Sequence, residues 1–214
     1  MNRRMLAAAL LTSILVAIAG SPARADIILP RPGQVGIGVQ LQGGTLLPSG
    51  NLGGEFGAGP GVAVSIRYRM RFERAFGLSF DSQQLKARDA QGNSRRASSA
   101  FDTLDRTLPG VRDRLKLTTA GIELYQMFDT RERTVKMLSA GIGLVQISAH
   151  LTDGETQFPI AGDGIYLSAG GGFERFMFKS WAWDLGAKYM AIFHDGTLNN
   201  DVQAKLGLIF YAAY

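Results

Sequence analysis

Apolar and polar residues alternate along most of the chain after residue 34, which is the pattern of half-buried β-strands. Eight runs show this alternation: 35–42, 62–70, 76–81, 118–125, 138–144, 165–174, 181–189 and 201–214. In the last run every second residue from Val202 to Tyr214 is apolar, while the intervening set becomes polar toward Asp201. The sequence therefore predicts an all-β protein of eight strands.

The predicted connections between these strands alternate in length. Short connections fall at 71–74, 129–133 and 178–180, and longer ones at 48–60, 86–114, 152–163 and 194–200. Nothing between the runs has the pattern of a crossover helix, which parallel strands would need. We therefore predict one antiparallel, up-and-down barrel whose two ends differ in loop length.

The first residues have the features of an export signal. Arg3 and Arg4 precede an apolar run at 5–20, and Ala23-Arg24-Ala25 fits a small-x-small cleavage site. The run is shorter than the roughly 18 residues of a membrane-spanning helix. We predict a cleaved signal peptide at 1–25 and a barrel domain at 26–214.

Charge and cysteine content narrow the classes of function. The predicted signal carries three of the 23 basic residues and none of the 18 acidic ones, so the remaining chain is close to neutral. No basic run is interleaved with aromatic residues, so a nucleic-acid partner is not expected. The chain has no cysteine, which excludes disulfides and a lipid-anchored cysteine.

Alternation alone fits either a soluble, lipocalin-like barrel or a barrel turned inside out in a membrane. The polar set is rich in Gly, Ala and Ser, which suits a narrow lumen better than a charged, water-facing surface. Aromatic residues also collect near the short connections, as an interfacial girdle would. They are Tyr68, Phe76, Phe128, Phe173, Trp181, Trp183 and Tyr214. These observations favour an eight-stranded transmembrane β-barrel.

The terminal run carries a resemblance to a known class. Phe210, Ala212 and Tyr214 give an apolar, aromatic-ended last strand, although Ala212 is smaller than usual. This run, with the eight-strand pattern, resembles the small outer-membrane barrels of Gram-negative bacteria, which include OmpA-, OmpX- and OmpW-like proteins. The resemblance implies an outer-membrane location, both chain ends in the periplasm, and a last strand that serves as an insertion signal for the assembly machinery.

Eight charged residues fall in the set predicted to face the lumen. The cations are Arg67, Arg69, Lys188 and Lys205, and the acids are Asp81, Glu123, Glu174 and Asp184. Because an unpaired charge in a narrow lumen is costly, we expect balanced ion pairs. Two interpretations stay open, a structural plug and a gated or selective pathway.

Candidate catalytic and metal-binding residues are few. His150 and His194 are the only histidines, and Ser148 near His150 suggests a comparison with lipid A-modifying hydrolases or acyltransferases. The surrounding residues match no motif of those enzymes, and no strand-turn-helix context for a nucleophile is predicted. We therefore predict no enzymatic activity, no metal and no cofactor.

The segment 86–114 is the most distinctive connection. It holds seven Lys or Arg residues and four Asp, and Ser99 could cap a short helix that ends before Pro109-Gly110. Solvated loop, lipopolysaccharide contact, adhesion and lid are all open interpretations. We predict a monomeric barrel with a structural or surface-interaction role among outer-membrane lipid and lipopolysaccharide, and a small-solute or hydrophobic-compound channel as the alternative.

Overall fold

A computed structural model describes residues 31–87, 111–153, 156–178 and 180–212. It contains one short helix, α1 (Asn51–Glu55), between the first two strands. The strands are β1 (Val35–Leu46), β2 (Ala58–Arg71), β3 (Arg74–Lys86), β4 (Val111–Phe128), β5 (Thr134–Asp153), β6 (Thr156–Phe176), β7 (Trp181–His194) and β8 (Thr197–Tyr211). The predicted signal peptide and the predicted helix after Ser99 lie outside the described residues.

The sheet closes on itself. Each strand pairs antiparallel with the next, and β1 pairs with β8 from Gly36↔Tyr211 to Leu46↔Asp201. Closure leaves no open edge along the paired span, which a membrane requires because hydrocarbon offers the backbone no hydrogen-bond partners. The predicted eight-stranded, antiparallel up-and-down barrel is confirmed. Within the described ranges, no helix is long and apolar enough to span a membrane.

The two faces of the wall have the reverse of the usual polarity. Large apolar side chains point outward and stay exposed, with Leu41 at 71% and Leu144 at 66%, whereas Arg67 points inward and is only 2% exposed. Water-soluble domains bury such apolar residues and expose their charges. The soluble, lipocalin-like alternative is therefore wrong, and the outward face is suited to lipid.

We call the start of β1 and the end of β8 the chain ends, and outward aromatic residues mark this end of the barrel. Phe128, Phe173, Trp181 and Trp183 are exposed there, close to the connections that join β4 to β5 and β6 to β7. Tyr68 is also exposed, Phe76 is half-buried, and Tyr214 lies outside the described residues. Aromatic rings at this level are typical of a membrane interface.

Two of the predicted long connections are wrong. β7 and β8 join through Asp195 and Gly196 alone, both at positive φ (48° and 70°), as in a tight primed hairpin turn. In place of the predicted loop at 152–163, β5 continues to Asp153 and β6 begins at Thr156. β4 likewise begins at Val111, inside the segment predicted as a loop to Arg114.

The predicted loops at 86–114 and 152–163 are too long because β3 to β6 continue beyond the lipid. There the outward residue no longer has to be apolar, so the alternation used to find strands changes its sign while backbone pairing continues. In β4, Lys116 points outward and Leu117 inward, whereas nearer the chain ends Ile122 points outward and Glu123 inward. We call the ends of β3–β6 beyond this change the outer sheet, defined by 82–86, 111–118, 146–153 and 156–163; its outward residues with described side chains include Gln84, Lys116 and Gln146.

Candidate functional site in the barrel lumen

The lumen contains three layers of side chains. The layer nearest the chain ends is mainly apolar and includes Met127, Val135, Phe176, Ile209 and Tyr211, each almost completely buried. The Phe176 and Tyr211 rings pack with their centroids 5.8 Å apart. This layer separates the middle of the barrel from the end where the chain ends lie.

Charged side chains fill the middle layer, and one group of them is built around two arginines. Arg67 from β2 forms ion pairs with Glu174 from β6 and Asp184 from β7, the latter at 3.2 Å. Arg69 pairs with Glu174 at 2.8 Å, and Gln40 donates to Asp184 at 2.8 Å. Glu174 is fully buried, so its charge depends on these partners.

A second group in the middle layer is built around two lysines. Lys188 from β7 lies 2.6 Å from Asp81 of β3 and 3.3 Å from Glu123 of β4. Lys205 from β8 lies 2.7 Å from the other Asp81 oxygen, and Thr119 donates to Asp81 at 3.2 Å. Each acid therefore has at least one cationic partner across the lumen.

Tyr125 joins the two groups. Its hydroxyl donates a hydrogen bond to Glu123, and the Arg67 guanidinium lies 4.2 Å from the centre of its ring. The eight predicted lumen residues thus come together in one layer from β2, β3, β4, β6, β7 and β8.

Small residues on one side of the wall leave room for these long side chains. The inward positions of β5 and β6 include Gly141, Gly143, Gly170 and Gly172. At Gly143 an added Cβ would overlap the Ala120 carbonyl oxygen of β4, so the glycine is also needed for close strand packing. Glu174 on β6 is the one charged residue of the network on these two strands, so the long side chains come mainly from the other strands.

The layer farthest from the chain ends is an apolar core under α1. Leu46, Phe56, Leu85, Leu115 and Leu117 are each no more than 1% exposed. Leu52 of α1 packs against this cluster, whose other members are Ala87, Val145, Ile147, Tyr166, Met190 and Ile192. The Leu52 N–H donates to the Asn199 side chain at 3.0 Å, which fastens α1 to β8. This layer covers the charged layer from the side opposite the chain ends.

Sequence reasoning did not include several lumen residues. Asp201 of β8 is fully buried and accepts a hydrogen bond from Gln203 at 2.9 Å. Gln40, Tyr125 and Tyr211 all contact the predicted charges. The signal that could have found them is parity: each occupies an inward position of its strand, as the alternation in the sequence already indicates.

A cavity of about 50 Å³ lies within the charged layer. Its lining includes Ser65, Ser79, Arg67 and Lys188, with Gly186 on the opposite wall. The Ser65 and Ser79 hydroxyls have no hydrogen-bond partner among the described residues. A polar space of this size suits one or two water molecules, which could satisfy both hydroxyls.

The histidine and serine candidates lie on two different strands. In the register of β5, Ser148 is opposite Lys116 of β4 and His150 is opposite Arg114, and the His150 side chain lies outside the described part of the structure. His194 lies at the end of β7, where its Nδ1 is 3.1 Å from the Asp163 carbonyl oxygen. Among the described residues, no cluster of three or more His, Cys, Asp or Glu could hold a metal ion.

The predicted insertion signal lies in the strand that closes the barrel. The Phe210 ring points outward and packs on Trp181, with the ring centroids 5.0 Å apart. The Ala212 N–H donates to the Val35 carbonyl oxygen at 2.9 Å, and Tyr214 lies outside the described residues. Recognition of this strand by the assembly machinery stays a prediction.

Comparison with known proteins identifies the fold. No protein-family model matches the sequence, and no curated protein matches it significantly. Among solved structures, Neisserial surface protein A is 16% identical with a TM-score of 0.57, covering 82% of this chain and 96% of that one. The Yersinia pestis attachment invasion locus protein Ail is 10% identical at TM-score 0.56, covering 85% and 99%.

A third similar structure is the outer membrane protein OprG from Pseudomonas aeruginosa, 9% identical with a TM-score of 0.53, covering 88% of this chain and 100% of that one. At these identities the likeness shows a shared fold. The chain has the fold of the small eight-stranded outer-membrane β-barrels, which confirms the resemblance predicted from sequence. With its apolar outward face, it is an integral barrel protein of the outer membrane.

Proposed function

We propose that this barrel is a closed anchor and scaffold that acts through the surface it presents outside the lipid, without enzymatic activity. The observation that carries the proposal is the filling of the lumen. The charged layer is bounded on one side by the apolar layer around Phe176 and on the other by the apolar core around Phe56. A continuous water path would have to cross both.

The energetics of the charged layer also favour a plug. Moving a hydrated ion past Arg67, Glu174 and Asp184 would require those ion pairs to separate in a site with little water. Breaking one buried pair typically costs about 3–5 kcal/mol. A selective pathway generally presents charges that bind ions weakly enough for release, whereas these side chains already neutralise one another.

Single-channel recording in planar bilayers tests the proposal. Folded protein, verified by heat-modifiable mobility, should give no sustained conductance, while a porin inserted in the same bilayers gives steps that prove sensitivity. A steady current from the unmutated protein, whose ion selectivity shifts in Glu123→Gln while the barrel stays folded, would contradict the plug and support the channel.

The outward role has its own test. Replacing 88–110 with a short Gly-Ser linker should leave insertion and thermal stability intact, because the described pairing of β3 with β4 uses only residues up to Lys86 and from Arg114 onward. The same variant should change binding of whole cells to host surfaces or other bacteria if the role is surface interaction. Unchanged binding, with a lower survival of cells under detergent stress in a deletion strain, would instead favour a purely structural role.

A further inference from the structure

The register of the outer sheet brings basic side chains together on one face just beyond the lipid-facing band. Lys86 of β3 lies directly opposite Arg114 of β4, and Gln84 lies opposite Lys116 one same-face step nearer the membrane. Arg114 and Lys116 are exposed, and Lys86 is half-buried. We call Lys86, Arg114 and Lys116 the basic patch.

The position of this patch relative to lipid follows from the same register. The last fully apolar outward row crosses three strands at Phe80, Ala120 and Leu144. The next row is neutral and polar, Ser82, Thr118 and Gln146, and the patch occupies the two rows after that. At about 3.4 Å per residue along a strand tilted by roughly 45°, Lys116 lies about 10 Å farther from the bilayer centre than Ala120 on the same strand. This is headgroup depth, within reach of long basic side chains.

Among the residues whose side chains the structure describes, no acid pairs with the patch. None of its three cations forms an ion pair there, whereas the lumen lysines and Lys136 all do. On the outward face of β3–β6, the nearest acid with a described side chain is Asp163 on β6, which is opposite Gln146 and is separated from β4 by the whole of β5. Two inter-strand spacings make that separation about 10 Å.

Within the described part of the chain, such an arrangement of cations is favourable only when an anion binds to it. Like charges directly opposite on neighbouring strands destabilise a sheet. Lys86 and Arg114 are directly opposite each other on β3 and β4. Arginine and lysine side chains hold phosphate oxygens by charge-assisted hydrogen bonds, arginine often through two at once. An exposed pair of cations at headgroup depth therefore fits a phosphorylated headgroup.

We propose that Lys86, Arg114 and Lys116 form a binding site for the phosphorylated headgroup of a lipid in the outer leaflet. This deepens the proposed surface role and rests on the outer sheet facing away from the periplasm. The headgroup would neutralise the patch and fix the depth of the β3–β4 pair in the membrane. Loss of headgroup binding would leave the lumen plug unaffected. A barrel that conducts ions and still binds the lipid would therefore overturn only the proposed function.

The test titrates full-length protein, refolded in neutral detergent micelles, with fluorescent bis-phosphorylated lipid A. The variant Lys86→Gln/Arg114→Gln/Lys116→Gln is compared with Arg71→Gln/Arg74→Gln/Lys136→Gln, which removes the same charge from outward positions at the opposite end. About 1 kcal/mol per cation near an anionic surface corresponds to roughly fivefold each, so we expect binding about 100-fold weaker in the first variant only. Heat-modifiable mobility verifies folding of both variants.

Further arms identify what is bound. Dephosphorylated lipid A should bind the unmutated protein as weakly as phosphorylated lipid A binds the patch variant. The site would be overturned by any of three results. These are equally weakened lipid A binding in the two triple variants, no weakening of binding in the patch variant, or equal binding of dephosphorylated and phosphorylated lipid A by the unmutated protein. Displacement by millimolar inorganic phosphate would assign the patch to free anions and overturn the headgroup. If the triple variant does not refold, Lys116→Gln alone should bind about fivefold more weakly, and unchanged binding overturns the proposal.

Discussion

Two regions of one strand show how this barrel is adapted to two solvents. Near the middle of β4, Ile122 points outward into lipid and Glu123 points into the lumen. A few residues away, Lys116 points outward and Leu117 packs inside. The backbone parity is the same in both regions, while the polarity of the two faces is exchanged.

This exchange of polarity shows that the alternation of apolar and polar residues depends on the surroundings of each face of the barrel wall. Within lipid, outward residues are apolar and the interior can hold paired charges such as Lys188 and Asp81. Beyond the lipid edge, the sheet follows the rule of a water-soluble sheet, with an apolar inner face and a polar outer one. The same strand therefore contributes to a membrane anchor and to a water-soluble cap.

The largest expected effect is in the membrane-level interior. Glu174→Ala leaves Arg67 and Arg69 without a shared acid, and stranding buried charge should cost about 3–5 kcal/mol in the free energy of unfolding. Urea unfolding in lipid vesicles measures it, with Glu132→Ala in an exposed turn as the control. A loss no greater than the control's would mean that the charged layer contributes little to stability.

The interior of the outer sheet should respond as a soluble core does. Leu117→Ala removes a buried side chain from the apolar layer and should cost about 2–5 kcal/mol by the same measurement. Lys116→Ala, one residue away on the outward face, should change stability by less than about 0.5 kcal/mol. Similar losses in both variants would show that the two faces of this region are not distinguished.

A cation placed at two depths on one face of β5 compares the outward surfaces directly. Ile142→Arg should destabilise the barrel by about 2–4 kcal/mol, because the side chain faces lipid near mid-depth. Gln146→Arg, with the same parity and opposite Asp163, should be nearly neutral. Refolding yields and urea midpoints in vesicles provide the readout, and tolerance of Ile142→Arg would argue against a lipid-facing position.

The smallest effect concerns the turn that ends the β7–β8 hairpin. Gly196 has φ of +70°, so Gly196→Ala should cost about 1 kcal/mol through backbone strain. Gly43→Ala is the control, since nothing lies within 4 Å of the added Cβ and its φ is not in the left-handed region. Thermal unfolding followed by gel mobility compares them, and equal midpoints would remove the case for a strained turn.

Much of the membrane-level barrel could be predicted from the sequence, because lipid imposes one rule on every strand. The eight runs and the inward position of residues such as Glu123 follow from period two alone. The outer sheet was missed because its alternation has the opposite sign, as Arg114-Leu115-Lys116-Leu117 shows. Asp195-Gly196 is a strong hairpin signal, and the prediction of a longer loop at 194–200 gives it too little weight.

The candidate site, like the fold, could be predicted from the sequence only in part. Parity identified the charged residues of the lumen, but it could not tell which cation would reach which acid across the barrel. The pairing of Arg69 with Glu174 depends on strand register and on the glycine-lined wall opposite. The apolar layers were missed because inward apolar residues such as Phe176 break the pattern of a polar lumen.

The absence of native cysteine allows the central claim, exchange of polarity at the lipid edge, to be measured directly by a cysteine scan of β5. Single variants Ile142→Cys, Gln146→Cys and Ile147→Cys, folded into vesicles, are treated with a membrane-impermeant maleimide on both sides of the membrane. We predict rapid labelling at Gln146 and protection at Ile142 by lipid and at Ile147 by the apolar core. Rapid labelling at Ile142, or labelling at Ile147 with protection at Gln146, would contradict the account.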